Sequence, residues 1–128
     1  MDFYIIELKD RLKIGVSNDI ENRITAILSI GGYTDDDILN LFKFPDSGIM
    51  EAPLKRLFRP SLVKKSKYNR GEEWFYKKAL VELFINEIKE GIKPSIELIE
   101  KIQHKYANIE NGYKQQAVFI FEKIKKFM

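Results

Sequence analysis

The chain has 128 residues, a length that suits one domain with a workable hydrophobic core. Hydrophobic residues make up 45% of the sequence and charged residues 32%, which is typical of a folded globular protein rather than a disordered one. There is no cysteine, so disulfides and thiolate metal sites are excluded. One histidine, His104, leaves no room for a multi-histidine zinc site. The formal net charge of +3 does not by itself predict a partner.

Neither a secretory leader nor a membrane anchor is indicated by the sequence. The segment Met1–Glu7 carries acids and no basic leader. No apolar run approaches the roughly 20 residues that a helix needs to cross a bilayer. We therefore expect no membrane partner and a cytoplasmic location, or the host cytoplasm if the protein is viral.

The first half of the chain alternates between strand and helix patterns. Two apolar runs, Phe3–Leu8 and Leu12–Val16, are joined by a short polar turn and predict a β-hairpin. Residues 17–19 offer helix N-caps, and isoleucines at helical spacing follow until Gly31 and Gly32. A third apolar run, Ile38–Phe44, predicts a strand that stops at Pro45.

A helix is expected next, from about Ser47 to Phe58, followed by a polar and basic loop from Arg59 to Gly71. The segment Glu73–Tyr76 could form either a short strand or a buried turn. Because Pro53 removes a backbone donor, the helix would be disturbed unless Glu51 lies in its first turn or at a kink.

The second half of the chain is helical in pattern. Ala79–Glu90 is amphipathic and ends at Gly91, and Pro94 opens a further helix that we expect to break at residues 108–112. The order of elements predicts an α+β fold, with a small, mainly antiparallel, three-stranded sheet flanked by helices. We expect one domain over residues 1–92 and a helical C-terminal extension over residues 93–128.

Basic residues concentrate between positions 55 and 78, where only Glu72 and Glu73 oppose them. Such a cluster can follow a phosphate backbone, whereas its alternative is an ordinary solvated loop. The candidate nucleic-acid contacts in this stretch are Arg56, Arg59, Lys64, Lys65, Lys67 and Arg70.

An ordered set of motifs runs through residues 2 to 90. Asp2-Phe3-Tyr4 opens the first strand, Lys13-Ile14-Gly15 lies in the second, Arg23 is in the next helix, and Glu51 is in a later one. This order resembles the GIY-YIG endonucleases, above all compact phage and viral members that read Lys-Ile-Gly in the second motif. The helix pattern of Glu51, Leu54 and Phe58 and the closing Glu73-Trp74-Phe75 also resemble theirs.

The resemblance implies a metal-dependent endonuclease that hydrolyses phosphodiester bonds of a nucleic acid, with DNA favoured over RNA. It implies that Glu51 binds Mg²⁺ or Mn²⁺ and that Arg23 grips the scissile phosphate. It further implies that Tyr4, assisted by Lys13, activates or places the attacking water. A cation near Tyr4 would favour its phenolate form.

Two other readings stay open. The chain could be a catalytically inactive nucleic-acid-binding module of the same fold, because Lys13, Lys55 and Pro53 depart from the family pattern. It could also be a protein-interaction or regulatory domain. The apolar stripe of the C-terminal helices could cap the domain, form a homodimer, or bring Lys123, Lys125 and Lys126 to DNA.

Overall fold

The computed structural model describes residues 1–64 and 73–125, and it describes side chains through residue 112. Four strands form one antiparallel sheet in the order β3-β1-β2-β4. The strands are β1, Asp2–Glu7; β2, Arg11–Ser17; β3, Asn40–Phe44; and β4, Phe75–Tyr76. The predicted α+β class and antiparallel sheet are confirmed.

Strand β1 lies at the centre of the sheet because its residues are apolar on both faces. Phe3 and Ile5 belong to one hydrophobic cluster, and Tyr4 and Ile6 belong to a second cluster on the opposite face. All four side chains are at most 1% exposed. A strand buried on both faces must be flanked by other strands and covered by helices on each side.

Helix α1, Ile20–Gly31, covers the face that carries Tyr4. Its first turn is capped by the Asp19 carboxylate, which accepts a hydrogen bond from the Asn22 backbone N–H at 3.4 Å. It ends at Gly32, whose φ of 74° is left-handed and suits a glycine. The predicted helix and both of its end signals are therefore confirmed.

Three helices cover the other face: α2, Glu51–Phe58; α3, Ala79–Lys89; and the start of α4, Ile96–Lys125. They form one cluster with the inward side chains of β1 and β2. The helical members of that cluster are Leu54, Leu57, Phe58, Val81, Phe84, Ile85, Ile88, Leu98, Ile99 and Ile102. The first turns of α4 thus contribute to the main core.

The structure corrects the predicted number of strands and the predicted break in the last helix. The prediction of three strands was wrong because Phe75–Tyr76 pairs with β2, while Leu62 bridges Phe75 from the other side. Two residues are too few to show an alternating pattern. The expected break at residues 108–112 is also wrong, since α4 continues through them. A single glycine inside a helix costs only about 1 kcal/mol, which does not force the helix to end.

Within the residues described, no helix is both long enough and apolar enough to cross a membrane.

Candidate functional site

Tyr4 and Gly15 lie directly opposite each other on neighbouring strands of the hairpin. The Tyr4 ring and hydroxyl occupy the space where a Cβ atom at Gly15 would stand. Any larger residue at position 15 would therefore displace the phenol or the backbone. The tyrosine of the first motif and the glycine of the second form one packing unit, and Tyr4 is only 1% exposed.

Lys13 lies two residues before Gly15 and points to the same face of the sheet as Tyr4. It is only 2% exposed, and its ammonium donates a hydrogen bond to the Ile14 carbonyl at 3.4 Å. Burying a charged group is costly unless polar partners compensate for the lost water. Lys13 is therefore an unusual buried cation, diagonal to Tyr4 across the hairpin.

Arg23 is exposed on helix α1, which covers the face of the sheet that carries Tyr4 and Lys13. The inward side of α1 is formed by Ile20 and Ile24, and Arg23 lies at the border of that apolar stripe. The structure thus places Arg23, an exposed residue, on the helix that covers the motif residues.

Lys43 is a neighbour of Tyr4 that the sequence analysis missed. It lies opposite Tyr4 on β3, points to the same face, and is 4.0 Å from the Glu21 carboxylate in the first turn of α1. Its side chain is 45% exposed. The predicted strand Ile38–Phe44 contained the clue to this neighbour, because a single lysine within an apolar strand indicates a position open to solvent.

Glu51 is the first residue of α2, so the prediction that it lies in a first turn or at a kink is confirmed as a first turn. Pro53 is tolerated there because backbone N–H groups in the first turn have no helical acceptor. The preceding turn is anchored to β1: the Gly48 N–H donates to the Met1 carbonyl at 3.0 Å, and the Asp46 N–H donates to the Asp2 carboxylate at 3.0 Å. Glu51 consequently lies at the end of the sheet where β1 begins.

Glu51 belongs to an ion-pair network of four charged side chains. The Lys55 ammonium is 3.6 Å from Glu51 and 3.9 Å from Glu73, and the Arg59 guanidinium is 3.4 Å from Glu73. The Glu51, Lys55 and Glu73 side chains are each between a quarter and a third exposed. These carboxylates are therefore open to ions from solution.

The structure brings some of the predicted site residues together more closely than others. Tyr4 and Lys13 share one face of the sheet, and α1 places Arg23 on that side. Glu51 belongs to α2, which packs on the opposite face, although it lies at the end of the sheet where β1 begins. Tyr4, Lys13, Arg23 and Glu51 could therefore line one cleft only at the open end of the hairpin, where β1 begins and β2 ends.

The basic stretch is described only in part. Arg56, Arg59 and Lys64 are exposed, and Arg59 is paired with Glu73. Lys65, Lys67 and Arg70 lie outside the described residues. Arg56 lies in α2, the helix that begins with Glu51, and Arg59 lies in the turn directly after that helix.

Glu51 is the single carboxylate that we expect to bind Mg²⁺ or Mn²⁺, so the protein would supply few of the ligands itself. Over residues 1–64 and 73–112, no group of three or more histidine, aspartate or glutamate side chains is arranged to hold a metal ion. Magnesium often binds through one carboxylate together with waters and substrate phosphates. Glu51 meets that requirement, because its carboxylate is partly exposed in the first turn of a helix.

No family model matches the chain, and no curated protein or solved structure shows significant similarity to it.

Proposed function

We propose that the protein is a metal-dependent endonuclease of the GIY-YIG type that hydrolyses phosphodiester bonds, with DNA as the favoured substrate. The observation that carries the proposal is the contact between Tyr4 and Gly15 across the hairpin. It gives a physical reason for finding a tyrosine in one motif and a glycine in the other. Buried Lys13 beside them and Arg23 on the covering helix add two cations to the same side of the sheet.

Phosphodiester hydrolysis needs a positioned water, a neutralised phosphate and help for the departing oxygen. In this proposal Arg23 binds the phosphate with its planar fork of donors. Tyr4 orients the water, and Lys13 favours the phenolate form of Tyr4. Glu51 would hold a divalent cation, which stabilises negative charge on the leaving oxygen when it is bound.

The test is cleavage of supercoiled plasmid in the presence of Mg²⁺ or Mn²⁺. We expect Glu51→Gln to lower the cleavage rate at least about 100-fold, the effect of losing a main electrostatic contribution at a reacting centre. EDTA should abolish cleavage by the parent protein. Glu100→Gln, which removes an exposed carboxylate of α4, is the matched control and should cleave normally.

A Glu51→Gln protein that cleaves as fast as the parent would exclude this mechanism. Retained cleavage in EDTA would exclude the metal requirement. The parent and each variant are purified separately. A contaminating nuclease is then recognised because it cleaves the plasmid at the same rate in every preparation.

A catalytically inactive nucleic-acid-binding module is the second candidate, and three observations favour it. Tyr4 is 1% exposed and Lys13 is 2% exposed, which limits their access to a substrate. Glu51 is already paired with Lys55. Binding that weakens steeply with salt, without metal-dependent cleavage, would select this candidate, because the salt dependence reports contacts with phosphates.

A further inference from the structure

Lys55 occupies a position between two carboxylates. Its ammonium is 3.6 Å from Glu51 Oε1, one helical turn away, and 3.9 Å from Glu73 Oε2, which precedes β4. An ammonium so placed partly neutralises both acids. A divalent cation that approaches Glu51 therefore meets a positive charge already beside its ligand.

Glu73 is held from its other side by Arg59, whose guanidinium is 3.4 Å from Glu73 Oε1. The two oxygens of Glu73 thus face two different cations, Oε1 towards Arg59 and Oε2 towards Lys55. This arrangement keeps Glu73 in place as a second anion for Lys55. The long, flexible lysine stem can shift towards Glu73 without breaking the backbone contacts of α2.

We infer that Lys55 is an internal cation that competes with a divalent ion for Glu51, and that Glu73 is a positioning residue that draws Lys55 aside when the ion binds. The inference rests on the proposed function, because it takes Glu51 as the residue that holds the ion. Glu73 acts through Lys55 and does not itself bind the ion. The affinity of the site for the ion is thereby set by residues outside the tyrosine and glycine motifs.

The experiment measures Mn²⁺ binding to the full chain without nucleic acid, from the electron paramagnetic resonance signal of free Mn²⁺. We expect Lys55→Met to tighten binding about twofold to fivefold, the range for a partly exposed ion pair. Glu73→Gln should weaken binding by a similar factor, since Lys55 then pairs with Glu51 alone. Lys9→Met and Glu100→Gln, both at exposed positions, should leave binding unchanged.

The double variant decides how Glu73 acts. If Glu73 works only through Lys55, Glu73→Gln will have no effect on Mn²⁺ binding when Lys55→Met is already present. A full loss of affinity in that background would make Glu73 a direct ligand and overturn the inference. Thermal unfolding of each variant checks that the fold is retained.

Two other results would also overturn the inference: no tightening in Lys55→Met, or no Mn²⁺ binding by either the parent or Lys55→Met. Cleavage assayed in parallel separates this inference from the proposed function. Glu51-dependent cleavage with unchanged binding in Lys55→Met rejects only the role of Lys55. Tighter binding in Lys55→Met without any cleavage supports that role and rejects the nuclease.

Discussion

Glu7 and Glu51 are both glutamates that pair with lysine, yet their surroundings differ sharply. Glu7 is fully buried at the end of β1 and accepts hydrogen bonds from Lys77 at 2.8 Å and Asn40 at 2.7 Å. The Lys89 ammonium lies at 2.8 Å as well. Glu51 is 28% exposed, and its contact with Lys55 is longer, at 3.6 Å.

The difference separates a structural carboxylate from one that remains available. Three short contacts use most of the acceptor capacity of Glu7 and tie β1 to β3, to the residue after β4 and to the end of α3. Glu51 has one longer ionic contact and solvent access, so exchange with an ion in solution requires little rearrangement. The burial and saturation of a carboxylate, more than its sequence motif, indicate which role it has.

The largest expected effect is on the stability of the fold when Glu7, the structural carboxylate, is replaced. Glu7→Gln should lower the free energy of unfolding by about 3 kcal/mol or more, because Lys77 would remain largely buried without its counter-charge. Urea unfolding at neutral pH measures the change, and Glu100→Gln serves as the exposed control. A loss below about 1 kcal/mol would show that Glu7 contributes no more than a surface ion pair.

The second test uses pH. Burial alone would raise the pKa of Glu7, but the hydrogen bonds from Lys77, Lys89 and Asn40 outweigh it and hold the pKa below its ordinary value. A carboxylate with a lowered folded-state pKa stabilises the protein above its unfolded pKa, which is about 4.3 for glutamate. That stability is lost as the pH falls from there through the folded-state pKa.

The difference in urea midpoint between the parent and Glu7→Gln should therefore be constant from pH 7 to about pH 5 and shrink below that. Glu87 also has a lowered pKa, because Lys105 and Lys101 donate hydrogen bonds to it, so Glu7→Gln should keep some acid sensitivity. A difference that stays constant down to pH 3 would contradict the role assigned to the charge on Glu7.

The smallest expected effect is on the stability of the fold when Glu51, the more exposed carboxylate, is replaced. Glu51→Gln should change the free energy of unfolding by less than about 1 kcal/mol, since it removes a partly exposed ion pair and a charge in the first turn of a helix. Thermal unfolding measures this on the same protein used for cleavage. A destabilisation as large as that of Glu7→Gln would make Glu51 structural and remove the distinction between the two residues.

Much of the fold was accessible from the sequence because local patterns were strong. The hairpin, helix α1 with its Asp19 cap and Gly32 end, and the amphipathic α3 each follow from periodicity and end signals. Strand β4 was ambiguous because two residues carry no period. The sequence did not predict that α4 continues through Gly112, because asparagine and glycine have weak helix propensities.

The candidate site, like the fold, was predictable from the sequence only in part. The resemblance of the ordered motifs to those of the GIY-YIG endonucleases suggested Tyr4, Lys13, Arg23 and Glu51, and those residues stay a proposal about function. The sequence did not reveal that Lys43 lies opposite Tyr4, because strand register depends on pairing between segments about 40 residues apart. The burial of Lys13 was also unforeseen, since an alternating strand lysine reads as exposed.

The sequence by itself determined the hairpin and the helices α1 and α3, because hydrophobic periodicity and capping residues act over only a few positions. Only the tertiary structure decided which charges meet. Glu7 gains Lys77 and Lys89 from far along the chain, and Lys55 gains Glu73 because the segment before β4 returns beside α2. Electrostatic partners depend on distance in space, and a linear pattern does not encode that distance.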